Sequence, residues 1–334
     1  MSKKIQENLT VEETVSAEMP VDVAESTVSD KNENLSSVIT EKAVMKERDI
    51  EKIEKRQRAA KITAQVFIYI FLTVMALIVV FPFYWMIISS LKSYEEYTGH
   101  LVPTFWPTEG IDFANYLEAF ELGNLGTLFL NTLYVGLVST VLSLIITVLA
   151  AFAFARLEFK GKNALFAALL ATMMIPGELF TITNYKTITD LGWNDSFIVL
   201  IVPFLVSVFY VYLLRQNFMQ IPNELYYAAK VDGTSDLKYL WKVMIPLAMP
   251  TLITITILKM MGSWNSYIWP LLVNTDKTYY LVTVGIRSMS FTGAVPDLPV
   301  QMAAVTLVSF PLFLVFIFLR KYIMKGVSRS GIKG

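Results

Sequence analysis

The residues of this chain that could do chemistry are few, and they sit in apolar surroundings. Lys259 lies within TITILKMMGSWNSYIWP, a run otherwise built of aliphatic, aromatic and small polar residues, and Trp264 and Asn265 follow it. Glu178 closes the sequence Met173-Met174-Ile175-Pro176-Gly177-Glu178, and Asn131 stands near the start of another apolar run, LFLNTLYVGLV. An ionisable group inside a membrane is expensive and usually faces a cavity or a partner. A lysine can instead snorkel along a tilted helix, and a carboxylate at the membrane boundary costs little. Nothing matches covalent chemistry: HExxH, GxSxG, paired intramembrane aspartates and a GxxxxGK[ST] phosphate loop are all missing. Zero cysteines exclude disulfides and thiolate metal sites, and a single histidine, His100, cannot make a histidine cluster. The chain therefore reads as a non-enzyme with no catalytic residue, no metal and no cofactor of its own. Asn131, Glu178, Lys259, Trp264 and Asn265 are the candidates for lining a path.

Composition says what must position them. Of 334 residues, 54% are hydrophobic and 17% charged, and the mean hydropathy is +0.52. Soluble domains carry about a quarter charged residues, so this is a membrane protein by composition, and its long apolar runs make an all-α membrane protein the expected class. A net charge of zero argues against a nucleic-acid partner. A bilayer core needs about 20 helical residues, and six stretches qualify: Val66–Ile88, Leu128–Ala155, Leu165–Thr183, Phe197–Leu214, Ile245–Val273 and Met302–Tyr322. Pro176 and Gly177 interrupt the third span, and the fifth is the most polar. In the second, Ser139, Ser143, Thr147, Ala151 and Ala155 repeat every fourth residue, which lets helices pack closely where lipid supplies no hydrophobic force. Arg156, Lys160 and Lys162 at its end read as interface anchors.

Basic residues orient the bundle. With the N-terminus inside, only Lys92, Lys186, Lys277 and Arg287 fall in outer loops. Both termini are then cytoplasmic, and so is a polar island, Ile221–Pro250, between the fourth and fifth spans. Residues 1–40 lack periodicity and are expected to be disordered. Residues 41–62 alternate charges with apolar positions, as in a basic helix at the membrane surface. Residues 63–126 hold the first span and an acidic, aromatic outer loop, 127–322 a five-helix core, and 323–334 a cytoplasmic tail.

The island itself, IPNELYYAAKVDGTSDLKYLWKVMIPLAMP, predicts two short helices. Pro222 suits a first helical turn, with Asn223 and Glu224 beside it. Asp232-Gly233 supplies a turn with glycine free to take positive φ. Thr234 or Ser235 can cap the second helix, which Pro246 and Pro250 restrict. Taken alone, this is either a docking surface or an amphipathic connector with helix caps.

Here a resemblance becomes specific. Ala228-Ala229, three residues to Gly233, then Val243-x-Ile245-Pro246 resembles the "EAA loop" of ABC importer permeases. The forms IPxELxxAAxxDG, IPLAxP and GSWNSYIWPLLV look most like maltose-type carbohydrate permeases, as do FANYLEAF, AFAFARLEFKGK and Met302-Ala303-Ala304. The likeness extends over roughly residues 65–334. It implies the type I ABC importer permease fold, six transmembrane helices with a cytoplasmic coupling loop at 217–243. It also implies coupling to an ATPase through Glu224, Tyr227, Ala228, Ala229, Asp232, Gly233, Ile245 and Pro246. One position departs from the family: Tyr227 stands where a glutamate is usual, so that glutamate's ion pair does not carry over, and Glu224 lies nearly one turn away.

The resemblance further implies partners: a cytoplasmic ATPase dimer that holds ATP and magnesium, a second permease subunit, an extracellular or periplasmic solute-binding protein, and the lipid of a bacterial cell membrane. Lys325, Arg329 and Lys333 in the tail could reach the ATPases or simply obey the positive-inside rule. For a sugar, the useful chemistry is aromatic faces against ring surfaces and amides against hydroxyls, which Trp264 and Asn265 supply. The alternatives are a non-sugar importer of the same type and an ion-coupled secondary transporter. The latter would want several intramembrane carboxylates or an inverted repeat, and neither is evident.

Overall fold

A computed structural model describes residues 21–99, 104–291 and 297–328, and side chains within 55–289 and 297–320 of these. No strand occurs among the described residues. By contact the chain divides into two units, Met1–Phe81 and Pro82–Gly334.

Helix α1 runs from Val21 to Ser90 with Pro82 inside it. Its apolar section, Lys55–Ser90, is long enough to cross a bilayer. Phe67, Tyr69, Leu77 and Val79 are all exposed, as a helix solvated by hydrocarbon permits. One expectation is corrected here. Residues 21–40, read as disordered, are helical, and residues 41–62, expected to be helical, lie in the same helix. Helix growth is cooperative, and each residue added to a preformed span avoids the cost of nucleation. Residues 1–20 of the expected disordered tail lie outside the described residues.

The second unit supplies the core. Short helices α2 (Tyr94–Gly99) and α3 (Ala114–Leu122) precede α4 (Leu125–Arg156), a complete span. Three bent pairs follow, each of which passes as one span. They are α5 (Lys162–Thr172) with α6 (Gly177–Asp190), bent by 84°, α7 (Phe197–Phe204) with α8 (Val208–Met219), bent by 45°, and, after α9 (Asn223–Val231), α10 (Asp236–Leu247) with α11 (Met249–Trp264), bent by 80°. Helices α12 (Ile268–Val273) and α13 (Val282–Phe291) lead to the last span, Leu298–Arg320 within α14 (Leu298–Ser328). Among the described residues, three helices are long and apolar enough to cross a membrane on their own, and there are up to six such spans if each bent pair counts as one.

The bend in α5–α6 falls at Pro176, as the sequence predicts. The bend at Pro203–Ser207 does not follow from the expected continuous span Phe197–Leu214. Proline there withholds a backbone donor, and Ser207 restarts the helix by accepting from the Tyr210 N–H at 3.4 Å. The fifth span does not begin at Ile245 either. The chain turns at Ala248, between Pro246 and Pro250, and Asn265 ends α11 before α12 begins. Of the tail, 323–328 belong to α14, and Arg329 and Lys333 lie outside the described residues.

The small-residue face of α4 is buried as expected: Ser139, Ser143, Thr147 and Ala151 are all within the packing. At Gly136 a Cβ would meet the Met260 sulfur at 2.9 Å, so α4 and α11 approach closely there. Four apolar clusters occur among the described residues of the second unit, the smallest formed by Phe154, Phe166 and Val211. One joins the end of α4 to α8, α10 and α11 through Phe152, Leu214, Phe218, Tyr239, Leu240 and Ile255. Another joins the start of α4 to α13 and α14 through Leu125, Leu128, Val282, Ala303 and Ala304. A third gathers Val135, Val199, Leu200, Trp269 and Val273.

The loop after α1 is held by buried polar groups. Asn115 donates to the carbonyls of Ser90 and Lys92, at 3.0 and 2.8 Å, and so caps the end of α1. Glu96 is 1% exposed and accepts from the backbone N–H groups of Thr108 and Glu109 and from the Thr104 and Thr108 hydroxyls. Burial pushes its carboxyl up, but these four hydrogen bonds outweigh burial and hold it below the usual range.

Candidate coupling loop and solute path

The island after α8 folds into the two predicted helices. Pro222 stands at the N-cap of α9, and Gly233 takes φ +70° in the turn. There the Thr234 N–H donates to the Ala229 carbonyl at 2.9 Å. Ser235, not Thr234, occupies the cap position of α10, and it does so without a side-chain hydrogen bond. A polar staple closes the turn: the Tyr226 hydroxyl and the Lys230 ammonium both reach Asp236 Oδ1, at 2.8 and 2.7 Å. Burial and then the Asp236 carboxylate push the Tyr226 phenol up, while hydrogen bonding to Asp236 raises Lys230.

Helix α9 has two faces. Tyr226 and Ala229 pack on the core. Glu224, Tyr227, Ala228 and Val231 are exposed at i, i+3, i+4 and i+7, one stripe of the helix. Val231 is 89% exposed and Tyr227 63%. Asp232 and Gly233 form the exposed turn, Ile245 packs against the core, and Pro246 is exposed in α10. The coupling candidates are thus divided between an outward stripe, a turn and an inward anchor.

Arg156 corrects the sequence reading most. It is not an interface anchor. At 7% exposed, it donates to the carbonyls of Phe218 and Ile221, at 2.8 and 2.6 Å, and to Asn223 Oδ1 at 2.9 Å. It therefore caps the carboxyl end of α8 and holds the first residue of α9. Arg215, near the end of α8, returns the arrangement: its Nε donates to the Phe154 carbonyl at 3.0 Å, and its guanidinium lies 4.1 Å from the Phe166 ring centre. Helix ends leave carbonyls without intrahelical partners and carry partial negative charge, and here each of two helices supplies the cation that caps the other. A signal was present in the sequence, because Val148, Phe152 and Arg156 share one stripe of α4 and the first two are core residues.

The candidate path residues are not brought together. Lys259 lines a cavity of about 410 Å³ with Val135 and Ser139 of α4, residues of the α7–α8 bend, and Trp269 of α12. Its ammonium donates to the Phe204 carbonyl at 2.6 Å, a group freed by that bend. Trp264, expected to face solute, is buried elsewhere: its Nε1 donates to the Val308 carbonyl at 3.3 Å and its ring packs on Phe129. Asn265 is exposed as the C-cap of α11. Glu178 is exposed just after the 84° bend and does not line the cavity. Asn131 is committed to backbone, donating to the Thr278 and Tyr280 carbonyls at 2.8 and 3.0 Å. The sequence reading missed Ser207, Tyr210 and Trp269 at the cavity. Pro203 and Ser207, a break signal inside an apolar run, could have pointed to the first two.

A bundle with bent spans, a polar cavity against one break and an exposed helix–turn–helix is a permease architecture, and comparison with known proteins decides which. The family described as "Binding-protein-dependent transport system inner membrane component" matches residues 143–329. The chain belongs to that family. AraQ, an arabinooligosaccharides transport system permease of Bacillus subtilis (strain 168), is 29% identical over 267 residues, covering 79% of this chain and 94% of that protein. A probable ABC transporter permease of Mycoplasma pneumoniae is 30% identical over 298 residues, 84% of this chain and 93% of that one. UgpE, an sn-glycerol-3-phosphate transport system permease of Rhizobium meliloti, is 29% identical, covering 78% and 94%. Among solved structures, a bacterial ABC transporter that imports the acidic polysaccharide alginate superposes with a TM-score of 0.70 at 25% identity, covering 77% of this chain and 95% of that chain. The protein is thus a helical membrane component of the type I importer permease fold.

Proposed function

We propose that this chain is one permease subunit of an ATP-driven, binding-protein-dependent carbohydrate importer. The observation that carries the reading is the exposed stripe Glu224–Tyr227–Ala228–Val231, on a helix tied by Asn223 and Arg156 to the end of the cavity-lining helix α4. The stripe is the surface on which a cytoplasmic ATPase docks, and the ATPase holds the ATP and magnesium. Closure of two ATPases pushes on α9, and the motion passes through the Arg156 contact and the Ala248 bend to α4 and α11. The chain itself needs only to bind, orient and move.

Both termini and the coupling loop are cytoplasmic in this reading, because basic residues crowd that side. A second permease subunit supplies the other half of the path, and an extracellular or periplasmic binding protein delivers the solute. The relatives named for arabinooligosaccharides and the alginate importer support a carbohydrate solute. The relative named for sn-glycerol-3-phosphate supports a second reading, a phosphorylated polyol.

Copurification from native membranes tests the assignment. Recovery of this chain with an ATPase and a second permease is expected, and Gly233→Pro should abolish recovery of the ATPase, because proline cannot adopt φ +70°. A chain that purifies alone and moves solute on an ion gradient would refute the reading.

A further inference from the structure

The cavity beside the α7–α8 bend holds a positive charge without a counter-charge. Lys259 lies ten residues into α11, about 15 Å along the axis at 1.5 Å per residue, and its ammonium satisfies one carbonyl, that of Phe204. Two of its protons remain, and among the described residues no aspartate or glutamate lines the cavity. An ammonium held this way in a membrane protein is costly unless water or an anion completes it.

The rest of the lining adds donors and no negative charge. The hydroxyls of Ser207, Tyr210, Ser263 and Ser266 can donate to an anion, as they can also accept, while among the described residues carboxylate and carboxamide side chains, the strong acceptors that sugar hydroxyls would donate to, are absent from the lining. A neutral sugar would leave the charge unmatched. A carboxylate or phosphate brings acceptor oxygens and the missing negative charge together, in a volume within the ordinary range for a small-molecule site.

We propose that the solute moved along this path is a sugar or polyol bearing a carboxylate or phosphate, and that Lys259 is its contact on this subunit. The proposal rests on the importer reading and adds the charge of the cargo. During passage the anion takes the place of water at the two free N–H groups, and the serine and tyrosine hydroxyls turn to donate to it.

The test uses the whole importer, purified with its partner subunits and binding protein and reconstituted in vesicles containing ATP. The vesicles receive a mixture of neutral, uronate-bearing and phosphorylated sugars and polyols, and mass spectrometry identifies what accumulates. Preferential accumulation of acidic species is expected, uronates or phosphates telling the two sources of charge apart. Lys259→Gln should raise the KM for the accumulated species at least tenfold, and Lys259→Arg should restore most of it. Accumulation of neutral sugars alone would overturn the proposal and leave the importer reading intact. So would a Lys259→Gln complex that fails to assemble or that loses neutral and acidic uptake alike, since the lysine would then pair with a carboxylate of another subunit. If nothing accumulates and ATPase activity ignores the mixture, the importer reading fails and the proposal fails with it.

Discussion

Arg156 and Lys259 are both cations within the helical core, yet their surroundings are opposite. Arg156 is nearly buried and has three acceptors on two segments, placed by the planar geometry of a guanidinium. Lys259 is half-buried on the wall of a cavity and has one carbonyl. A guanidinium bonded to three acceptors on two segments holds those segments together, whereas an ammonium with one acceptor on a cavity wall is available to something that comes and goes. The junction of α4 with α8 and α9 is built in the first way and the cavity in the second.

The largest effect should come from removing the well-matched charge. Arg156→Ala removes the donor to the buried Ile221 carbonyl and to the Asn223 amide oxygen and leaves the Phe218 carbonyl with only the Ile221 N–H at 3.3 Å, and a buried group so orphaned costs about 1–3 kcal/mol. A sharp drop in melting temperature and loss of the assembled complex are expected by light-scattering and copurification. Arg156→Lys should recover only part of this, since an ammonium is not a fork. If Arg156→Ala melts like the wild type, the contrast between the two cations is broken.

Asn223→Ala removes one contact from the same node and leaves the carbonyl caps in place. A cost of about 1–2 kcal/mol is expected for a charge-assisted bond near the surface. The sharper readout is solute moved per ATP hydrolysed, which should fall because α9 is no longer tied to α4. An unchanged ratio would mean that motion passes through the Ala248 bend alone.

Glu96 extends the comparison to a buried anion that accepts four hydrogen bonds. Its folded carboxyl titrates below the ordinary value of 4.5, so its contribution to stability is complete above that pH. That contribution declines as pH falls through 4.5 towards the folded value. Amide exchange at Thr108 and Glu109 should accelerate over that interval, and Glu96→Gln should abolish the pH step. The smallest effect is expected at Lys259→Met, which removes a poorly compensated charge. Thermal stability should stay within about 1 kcal/mol of the wild type or rise, and a large loss would show that Lys259 is structural after all.

The parts of this molecule legible in sequence were those governed by local chemistry. Proline and glycine marked the break at Pro176 and the turn at Gly233, and the exposed stripe of α9 follows from helical spacing. The solute path was less legible, because whether a polar side chain faces a cavity depends on its neighbours. Trp264 and Asn131 have the right chemistry but spend it on backbone carbonyls far away in the chain. The Arg156 node joins residues more than sixty positions apart, which no window along the sequence can see. The extent of α1 was missed for another reason, since helical growth from an apolar span carried it through residues of weak local preference.

The reciprocal arginine caps also bear on how the chain is made. Arg156 leaves the ribosome long before the carbonyls it will cap, and Arg215 finds Phe154 only after the bent pairs α5–α6 and α7–α8 have both been inserted. Until then neither α4 nor α8 has a finished end, and both must borrow water at the membrane surface. The junction of α4 with α8 therefore closes only once α8 is in place, and a chain stalled before α8 carries an Arg156 with none of its three acceptors.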